Sequence, residues 1–270
     1  MSNLLQRIIT ALLGVGLILA ALLYGHLTFA LAFLIIMVLT LREFYGLARK
    51  SGSNPFHNWG LLFSVALYAL VYAVLSNELS AQWLWLLLPL LFLCFIFPLY
   101  YLERTHPIQC LAITLLGVIY IAVPFCLLLV VGFSGAEYDF SLILGLLLAQ
   151  WASDSGAYIA GKTLGRTKLF EKVSPNKTWE GTIGGALIAL GILYTWSIYF
   201  NSLQTLEWLG LALIVVIFGS FGDLVESLFK RSLAIKDSGS AIPGHGGFLD
   251  RFDGLLLALP FATAYIMMLP

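Results

Sequence analysis

The chain has 270 residues, of which 60% are hydrophobic and only 10% are charged, and its mean hydropathy is +0.96. This composition excludes a water-soluble globular protein, because repeated apolar stretches of about 18 or more residues are long enough to cross a bilayer as helices. Lys and Arg balance Asp and Glu, so the formal net charge is zero. We therefore expect an all-α, polytopic integral membrane bundle and no nucleic-acid partner.

The apolar pattern predicts about nine transmembrane helices. Five fall in an N-terminal region, residues 1–135, and four in a C-terminal region, residues 136–270, which we expect to be catalytic. The predicted spans run from Leu4 to Tyr24, Leu27 to Glu43, Trp59 to Ser76, Trp83 to Tyr101, Ile108 to Phe133, Phe140 to Gly161, Thr182 to Phe200, Trp208 to Phe229 and Gly254 to Leu269. The two largest loops are residues 161–182 and 230–253.

The basic residues predict the orientation of these spans. All 14 Lys and Arg residues fall in connections or span ends on one side of the nine spans. The positive-inside rule makes that side cytoplasmic, so we expect a cytoplasmic N-terminus and an external Pro270. A basic inner face is the ordinary result of membrane insertion, and alone it gives no support for an anionic substrate.

Several carboxylates are predicted at similar depth near the cytoplasmic boundary. Asp154 lies in the sixth span and Asp223 in the eighth, while Asp250 and Asp253 stand where the ninth begins. Glu226 follows Asp223 by one helical turn, on the same face. An acid within a span is costly unless it is paired, hydrated or bound to metal, so these acids are candidate functional residues. The alternative is a structural ion pair with a basic neighbour.

The polar stretch from Ser227 to Asp253 lies between two long apolar runs and combines glycines, carboxylates and basic residues. Glycines allow close backbone approach to a ligand, carboxylates hold divalent cations, and Lys and Arg bind phosphate. This combination suits phosphoryl transfer, although a glycine-rich connection at a membrane surface is the simpler alternative. His245 is interpreted as a phosphate contact rather than a metal ligand, and Ser227 as a hydrogen-bond donor rather than a nucleophile.

Two further segments carry phosphate-binding patterns. The run GAYIAGKT, Gly156 to Thr163, matches a phosphate loop, but we expect a false match because it ends a membrane span rather than joining a strand to a helix. Lys162 within it could still meet phosphate or a lipid headgroup. In the segment KVSPNKTWEG, Ser174 and Pro175 are predicted to cap and begin the seventh span, whose free N–H groups would favour a phosphate. A capped helix without a ligand explains this segment equally well.

These residues together resemble the phosphatidate cytidylyltransferase (CDP-diacylglycerol synthase) family. The similarity lies in the pattern S-x-x-K-R-x4-K-D-x-G-x3-P-G-H-G-G-x2-D-R-x-D from Ser227 to Asp253, with SDSGAY at Ser153, SPNKTWEG at Ser174 and GDLVES at Gly222 preceding it in the family's order. It covers about the last 120 residues. The resemblance implies the reaction of CTP with phosphatidic acid to give CDP-diacylglycerol and pyrophosphate, at the cytoplasmic side of a bacterial-type inner membrane.

The resemblance also implies roles for single residues. Asp223 and Asp250 are the leading expected metal ligands, followed by Asp154 and Asp253, and the expected ion is magnesium with potassium beside it. Asp223, Asp250, Lys236 and Arg251 are expected to be catalytic. The expected substrate-binding residues are Lys162, Ser174, Lys177, Thr178, Ser227, Lys230, Arg231, His245, Gly246 and Gly247. A homodimer in membrane lipid is expected as well.

Two other functions stay open at this point. A polytopic transporter would explain many spans and buried acids, but not a glycine-rich, basic and acidic loop on one face. A CTP-dependent lipid kinase would share most of the chemistry and differ in whether the lipid gains a phosphate or a CMP group.

Overall fold

The computed structural model describes residues 3–101, 106–135, 137–232 and 246–269, with side chains described from residue 9 onward. The described chain is helical apart from one short hairpin, which confirms the all-α class. The α-helices are α1 (Asn3–Tyr24), α2 (His26–Lys50), α3 (His57–Leu75), α4 (Leu87–Leu93), α5 (Phe97–Tyr100), α6 (Pro107–Gly117), α7 (Val123–Gly132), α8 (Phe140–Leu164), α9 (Trp179–Tyr199), α10 (Thr205–Ser232) and α11 (Leu249–Met267). Short 3-10 and π segments extend α4 and α5 into Ala81–Tyr100, and join α6 to α7 as Pro107–Gly132.

Seven helices in the described ranges are long and apolar enough to cross a membrane. They are Ala81–Tyr100, Pro107–Gly132, α2, α3, α8, α9 and α10. A polytopic membrane fold is therefore confirmed. The first and last predicted spans correspond to α1 and α11. That these two helices cross the membrane stays a prediction. The apolar part of α1 with described side chains is only Ile9–Tyr24, and α11 opens with three charged residues.

The chain divides into two compact units. Unit 1 comprises Met1–Phe133 and Asp237–Arg251, and unit 2 comprises Ser134–Lys236 and Phe252–Pro270. The first three residues of α11 thus belong to unit 1, and the rest of that helix to unit 2.

Tyr45 on α2 anchors the interior of unit 1. Its hydroxyl donates to the backbone carbonyl of Thr114 at 2.7 Å. Gly60 and Gly117 lie directly against the ring, where a Cβ at either position would collide with it. The Thr114 hydroxyl also accepts from the backbone N–H of Phe56 at 2.8 Å. These contacts hold the start of α3 against α2 and α6.

Close backbone approach between α8 and α9 organises unit 2. A Cβ added at Gly156 would lie 2.9 Å from the Cα of Gly185, and one at Gly181 would lie 2.9 Å from the carbonyl oxygen of Ala157. Small residues at helix crossings allow such contact in membrane proteins, where van der Waals packing replaces the hydrophobic effect. The Gly156–Thr163 stretch lies inside α8, so its match to a phosphate loop is confirmed to be false.

The segment before α9 is a strand rather than a helix start. Lys168–Phe170 (β1) pairs antiparallel with Ser174–Thr178 (β2). The prediction of Ser174 and Pro175 as cap and first turn is therefore wrong. The cap is Thr178, whose hydroxyl accepts from the backbone N–H of Gly181 at 3.1 Å. Ser, Thr, Asp and Asn all cap helices, so the residue types alone did not fix which one begins α9.

Candidate functional site

Three carboxylates of unit 2 converge between α10 and α11. Asp223 and Glu226 come from α10 and Asp253 comes from α11, and each offers an oxygen within 4.8 Å of the others. Glycine makes the approach possible, because a Cβ at Gly222 would lie 2.5 Å from the carbonyl oxygen of Asp253 and 2.8 Å from the Cα of Gly254. We call Asp223, Glu226 and Asp253 the acidic cluster.

Asp154 on α8 is the fourth acid near this cluster. Asp253 interacts electrostatically with both Asp223 and Asp154. The side-chain amide of Gln150 donates to the two Asp154 oxygens at 3.1 and 3.2 Å. Gln150 is itself buried against Gly219 and Gly254, where a Cβ would collide with its amide. The buried amide therefore fixes the orientation of the Asp154 carboxylate.

Two lysines neutralise part of this negative charge. Lys177, at the end of β2, lies 2.7 Å from Asp223 through its Nζ and also donates to the carbonyl of Ser220 at 3.0 Å. Lys230 forms an ion pair with Glu226, one turn earlier on α10. With Asp154 included, four carboxylates face two ammonium groups, so two negative charges are left. One divalent cation would balance these two negative charges.

The donor set fits magnesium. Hard cations prefer carboxylate oxygens, and Mg²⁺ holds them at about 2.1 Å, so opposite ligands are about 4.2 Å apart. Oxygens within 4.8 Å of one another need only small side-chain shifts to reach that distance. Glu226 is 1% exposed and forms an ion pair with Lys230. A buried carboxylate of this kind gains from a further cation.

The structure therefore brings together several residues predicted from the sequence. Asp154, Asp223 and Asp253 meet as expected, with Lys177 and Lys230 paired to cluster carboxylates. Ser227 donates weakly to Asp223, with 3.4 Å between the oxygens, which agrees with a hydrogen-bonding role.

Asp250 has a different environment, within unit 1. Its carboxylate accepts from the backbone N–H of Gly247 at 2.8 Å, next to Gly246 in a left-handed conformation at φ 80°. Arg251 follows in the first turn of α11 with an exposed side chain. These contacts stabilise the start of α11, and the metal-binding role of Asp250 stays a prediction.

Four other predicted substrate-binding residues are spread along unit 2. The Lys162 ammonium lies 5.8 Å from the centre of the Tyr158 ring, and Arg231 is exposed at the end of α10. Ser174 begins β2 and Thr178 is the buried cap of α9. Their contacts with substrate stay predictions. Lys236 and His245 lie outside the described residues.

Besides Gln150, three residues with structural roles here were not predicted from the sequence. Glu226 was recognised on the face of Asp223 but was not predicted as a metal ligand, although its spacing of three residues from Asp223 places it in the acidic cluster. Glu180 accepts from the backbone N–H groups of Arg166 and Thr167 at 3.1 Å, which ties the end of α8 to the start of α9. In unit 1, Glu43 accepts from the backbone N–H of Leu249 at 3.0 Å, at the first turn of α11. No local sequence signal links residues so far apart.

Part of the chain is similar to proteins named phosphatidate cytidylyltransferase. The chain is 42% identical over 158 residues to a phosphatidate cytidylyltransferase of Staphylococcus aureus (strain COL), an alignment covering 58% of this chain and 59% of that protein. It is 44% identical over 126 residues to a phosphatidate cytidylyltransferase of Bacillus subtilis (strain 168), covering 46% and 47%. The aligned part is thus about half to three fifths of each relative's length.

The match to the family as a whole is longer. The sequence model of the Cytidylyltransferase family matches residues 5–269, which include both units and every residue of the acidic cluster. The chain therefore belongs to the cytidylyltransferase family.

Proposed function

We propose that this protein transfers CMP from CTP to phosphatidic acid, giving CDP-diacylglycerol and pyrophosphate. The observation that carries the proposal is the acidic cluster with its two paired lysines, built on helices long enough to cross a membrane. Relatives named phosphatidate cytidylyltransferase support the choice of substrates.

The reaction needs positioning and charge neutralisation more than a protein nucleophile. A phosphate oxygen of phosphatidate forms a bond to the α-phosphorus of CTP, and the bond from that phosphorus to the oxygen bridging the β-phosphorus breaks, so pyrophosphate leaves. A phosphate monoester is largely ionised at neutral pH, so no general base has to remove a proton. This agrees with the interpretation of Ser227 as a hydrogen-bond donor, since its hydroxyl donates to the Asp223 carboxylate.

The chain's own groups divide this work. Asp223, Glu226 and Asp253 would hold magnesium, with Asp154 oriented beside them by Gln150. When bound, the ion supplies positive charge to the triphosphate oxygens. Lys177 and Lys230 are held at the cluster by carboxylates, where their ammonium groups can bind phosphate oxygens. The resemblance adds Arg251 as a bidentate phosphate ligand.

We also propose an inner-membrane location in a bacterium, with the acidic cluster toward the cytoplasm. The bacterial relatives and the one-sided distribution of Lys and Arg support this orientation. A phosphatidate headgroup lies at that boundary, and soluble CTP reaches it from the cytoplasm. A potassium ion beside magnesium and a homodimer stay predictions, to be checked by replacing potassium with sodium in the assay and by light scattering of the purified protein.

The test is an assay of purified protein with magnesium, phosphatidate and CTP labelled in either the α- or the γ-phosphate. CMP transfer places the α-label on lipid and the γ-label in pyrophosphate. A CTP-dependent lipid kinase would place the γ-label on lipid instead. A transporter would leave both labels in CTP, and either of these outcomes would overturn the proposal.

A further inference from the structure

Unit 1 contains a polar cavity at the junction of α2 and α3, outside the segments that resemble the family motifs. Its volume is about 200 Å³. It is lined by Arg42, Tyr45, Arg49, His57, Asn58 and Leu61. Arg42 and Arg49 are seven residues apart on α2, so they project from the same helix face two turns apart.

A second cavity of about 290 Å³ adjoins the first. It shares His57 and Asn58 with the polar cavity, so the two lie side by side. Its remaining wall is apolar or aromatic and consists of Phe56, Trp59, Leu62, Phe97 and Tyr101. A cationic compartment thus opens beside an apolar one, as an amphipathic anion requires.

The cationic compartment is not neutralised by the described protein. Within residues 3–101, 106–135, 137–232 and 246–269, neither Arg42 nor Arg49 has a carboxylate in ion-pairing distance. The other polar groups facing the cavity are the His57 ring, the Asn58 amide and the Tyr45 hydroxyl. Two guanidinium groups can each bind phosphate oxygens through paired N–H donors.

The walls of both compartments are fixed in place. Tyr45 is buried and hydrogen-bonded to Thr114. The Phe56 ring stacks on Phe97 with 5.8 Å between centroids, and Trp59 meets the same Phe97 edge-on at 6.2 Å. Preformed walls reduce the ordering cost of binding.

The position along the helices agrees with a lipid ligand. Arg49 lies in the last turn of α2 and Trp59 in the first turn of α3, both of which are candidate membrane spans. Basic and aromatic residues at span ends lie at the level of lipid headgroups. We propose that unit 1 binds an anionic phospholipid here, with the headgroup phosphate between Arg42 and Arg49 and the acyl region against Trp59 and Leu62. This site shares no residue with the acidic cluster and does not rest on the proposed function.

The test measures lipid bound to delipidated full-length protein by native mass spectrometry. Phosphatidylglycerol is the probe, because it carries a phosphodiester and is not the lipid of the proposed reaction. Phosphatidylcholine and inorganic phosphate are titrated separately. We expect Arg42→Ala and Arg49→Ala each to weaken phosphatidylglycerol binding about tenfold, the usual effect of losing a charged hydrogen bond. Phosphatidylcholine should bind wild-type protein no better than it binds these variants.

Lys50→Ala is the matched control. Lys50 is an exposed cation next to Arg49 at the same helix end, but it does not line the cavity. We expect the Lys50→Ala variant to bind phosphatidylglycerol with the same affinity as the wild-type protein. Equal losses in Lys50→Ala and Arg49→Ala would mean general attraction to anionic lipid and would overturn the site. In another outcome, inorganic phosphate binds saturably and needs both arginines, while phosphatidylglycerol does not bind. The ligand would then be free phosphate, and the lipid assignment would be overturned.

A photoactivatable acyl chain on phosphatidylglycerol provides a second measurement, which does not depend on the variants. Crosslinks are expected on peptides that contain Trp59, Leu62 or Phe97. Crosslinks confined to other parts of the chain would contradict the proposal.

Discussion

Lys177 and Asp223 form an ion pair, with 2.7 Å from Nζ to Oδ2, that links the end of β2 to α10 within unit 2. The Lys177 ammonium also donates to the backbone carbonyl of Ser220, so backbone and carboxylate together fix its position. The pair places a cation directly beside the acidic cluster. It therefore has two expected roles, to orient Asp223 and to bind a substrate phosphate.

The first prediction separates these roles. Lys177→Ala should lower kcat/KM at least about tenfold, because a charged hydrogen bond to phosphate is lost and Asp223 is no longer held. If Lys177 binds phosphate, the KM for CTP or phosphatidate rises as well. Initial rates at varied CTP and phosphatidate measure both parameters. Lys172→Ala, an exposed lysine between β1 and β2, is the control and should change neither. Equal effects of the two variants would exclude a specific role for Lys177.

The second prediction concerns metal binding. Asp253→Asn should weaken binding of Mn²⁺, a spectroscopic substitute for magnesium, by at least about tenfold, because a ligand charge is lost from a site of three carboxylates. Electron paramagnetic resonance of free Mn²⁺ measures the affinity without any assay of activity. Glu171→Gln, an exposed acid in the hairpin, should leave the affinity unchanged. Unaltered binding in Asp253→Asn would remove Asp253 from the metal site.

The third prediction concerns the contact between α10 and α11. Gly222→Ala would place a Cβ 2.5 Å from the Asp253 carbonyl oxygen, so the two backbones must separate. Overpacking of this kind costs about 1–3 kcal/mol, and we expect a lower Tm in detergent together with reduced turnover. Gly191→Ala on α9 is the control, since nothing lies within 4 Å of its Cβ position. A Tm for Gly222→Ala equal to that of Gly191→Ala would contradict the close packing.

The fourth prediction is topological. Cysteines introduced at Ser51 and Ser80 should react with a membrane-impermeant reagent from opposite sides of sealed vesicles, because one span, α3, separates them. Ser51 is expected on the cytoplasmic side. The native Cys94, Cys110 and Cys126 are buried, so background labelling should be low. Reaction of both introduced cysteines from one side would disprove the orientation.

Much of the fold and part of the site could be predicted from the sequence. Long apolar runs predicted the helices because a bilayer leaves few alternatives for a spanning segment. The meeting of Asp154, Asp223 and Asp253 followed from residue counts along three helices. The sequence did not predict which acids form one cluster, because that depends on the local approach of α10 and α11 at Gly222.

The roles of single residues were harder to predict where those roles depend on contacts with another segment. Ser174 and Thr178 both suit a helix cap. Because Ser174–Thr178 pairs with β1 as a strand, α9 begins only after Thr178, which is its cap. The Gln150 amide that orients Asp154 could not be predicted, because its position depends on the absence of side chains at Gly219 and Gly254. Both features depend on contacts between segments rather than on local residue preference.

The most direct test of the central claim is CMP transfer by wild type and Asp223→Asn, measured side by side with α-labelled CTP, phosphatidate and saturating magnesium. Asp223 belongs to the acidic cluster and pairs with Lys177, so its charge should stabilise the metal-bound triphosphate by several kcal/mol. We predict labelled CDP-diacylglycerol from wild type and a rate at least about a hundredfold lower from Asp223→Asn, with both proteins inserted and purified equally. Wild-type protein that forms no labelled lipid would contradict the proposed reaction, and near-normal turnover in Asp223→Asn would contradict the proposed role of Asp223 as a metal ligand.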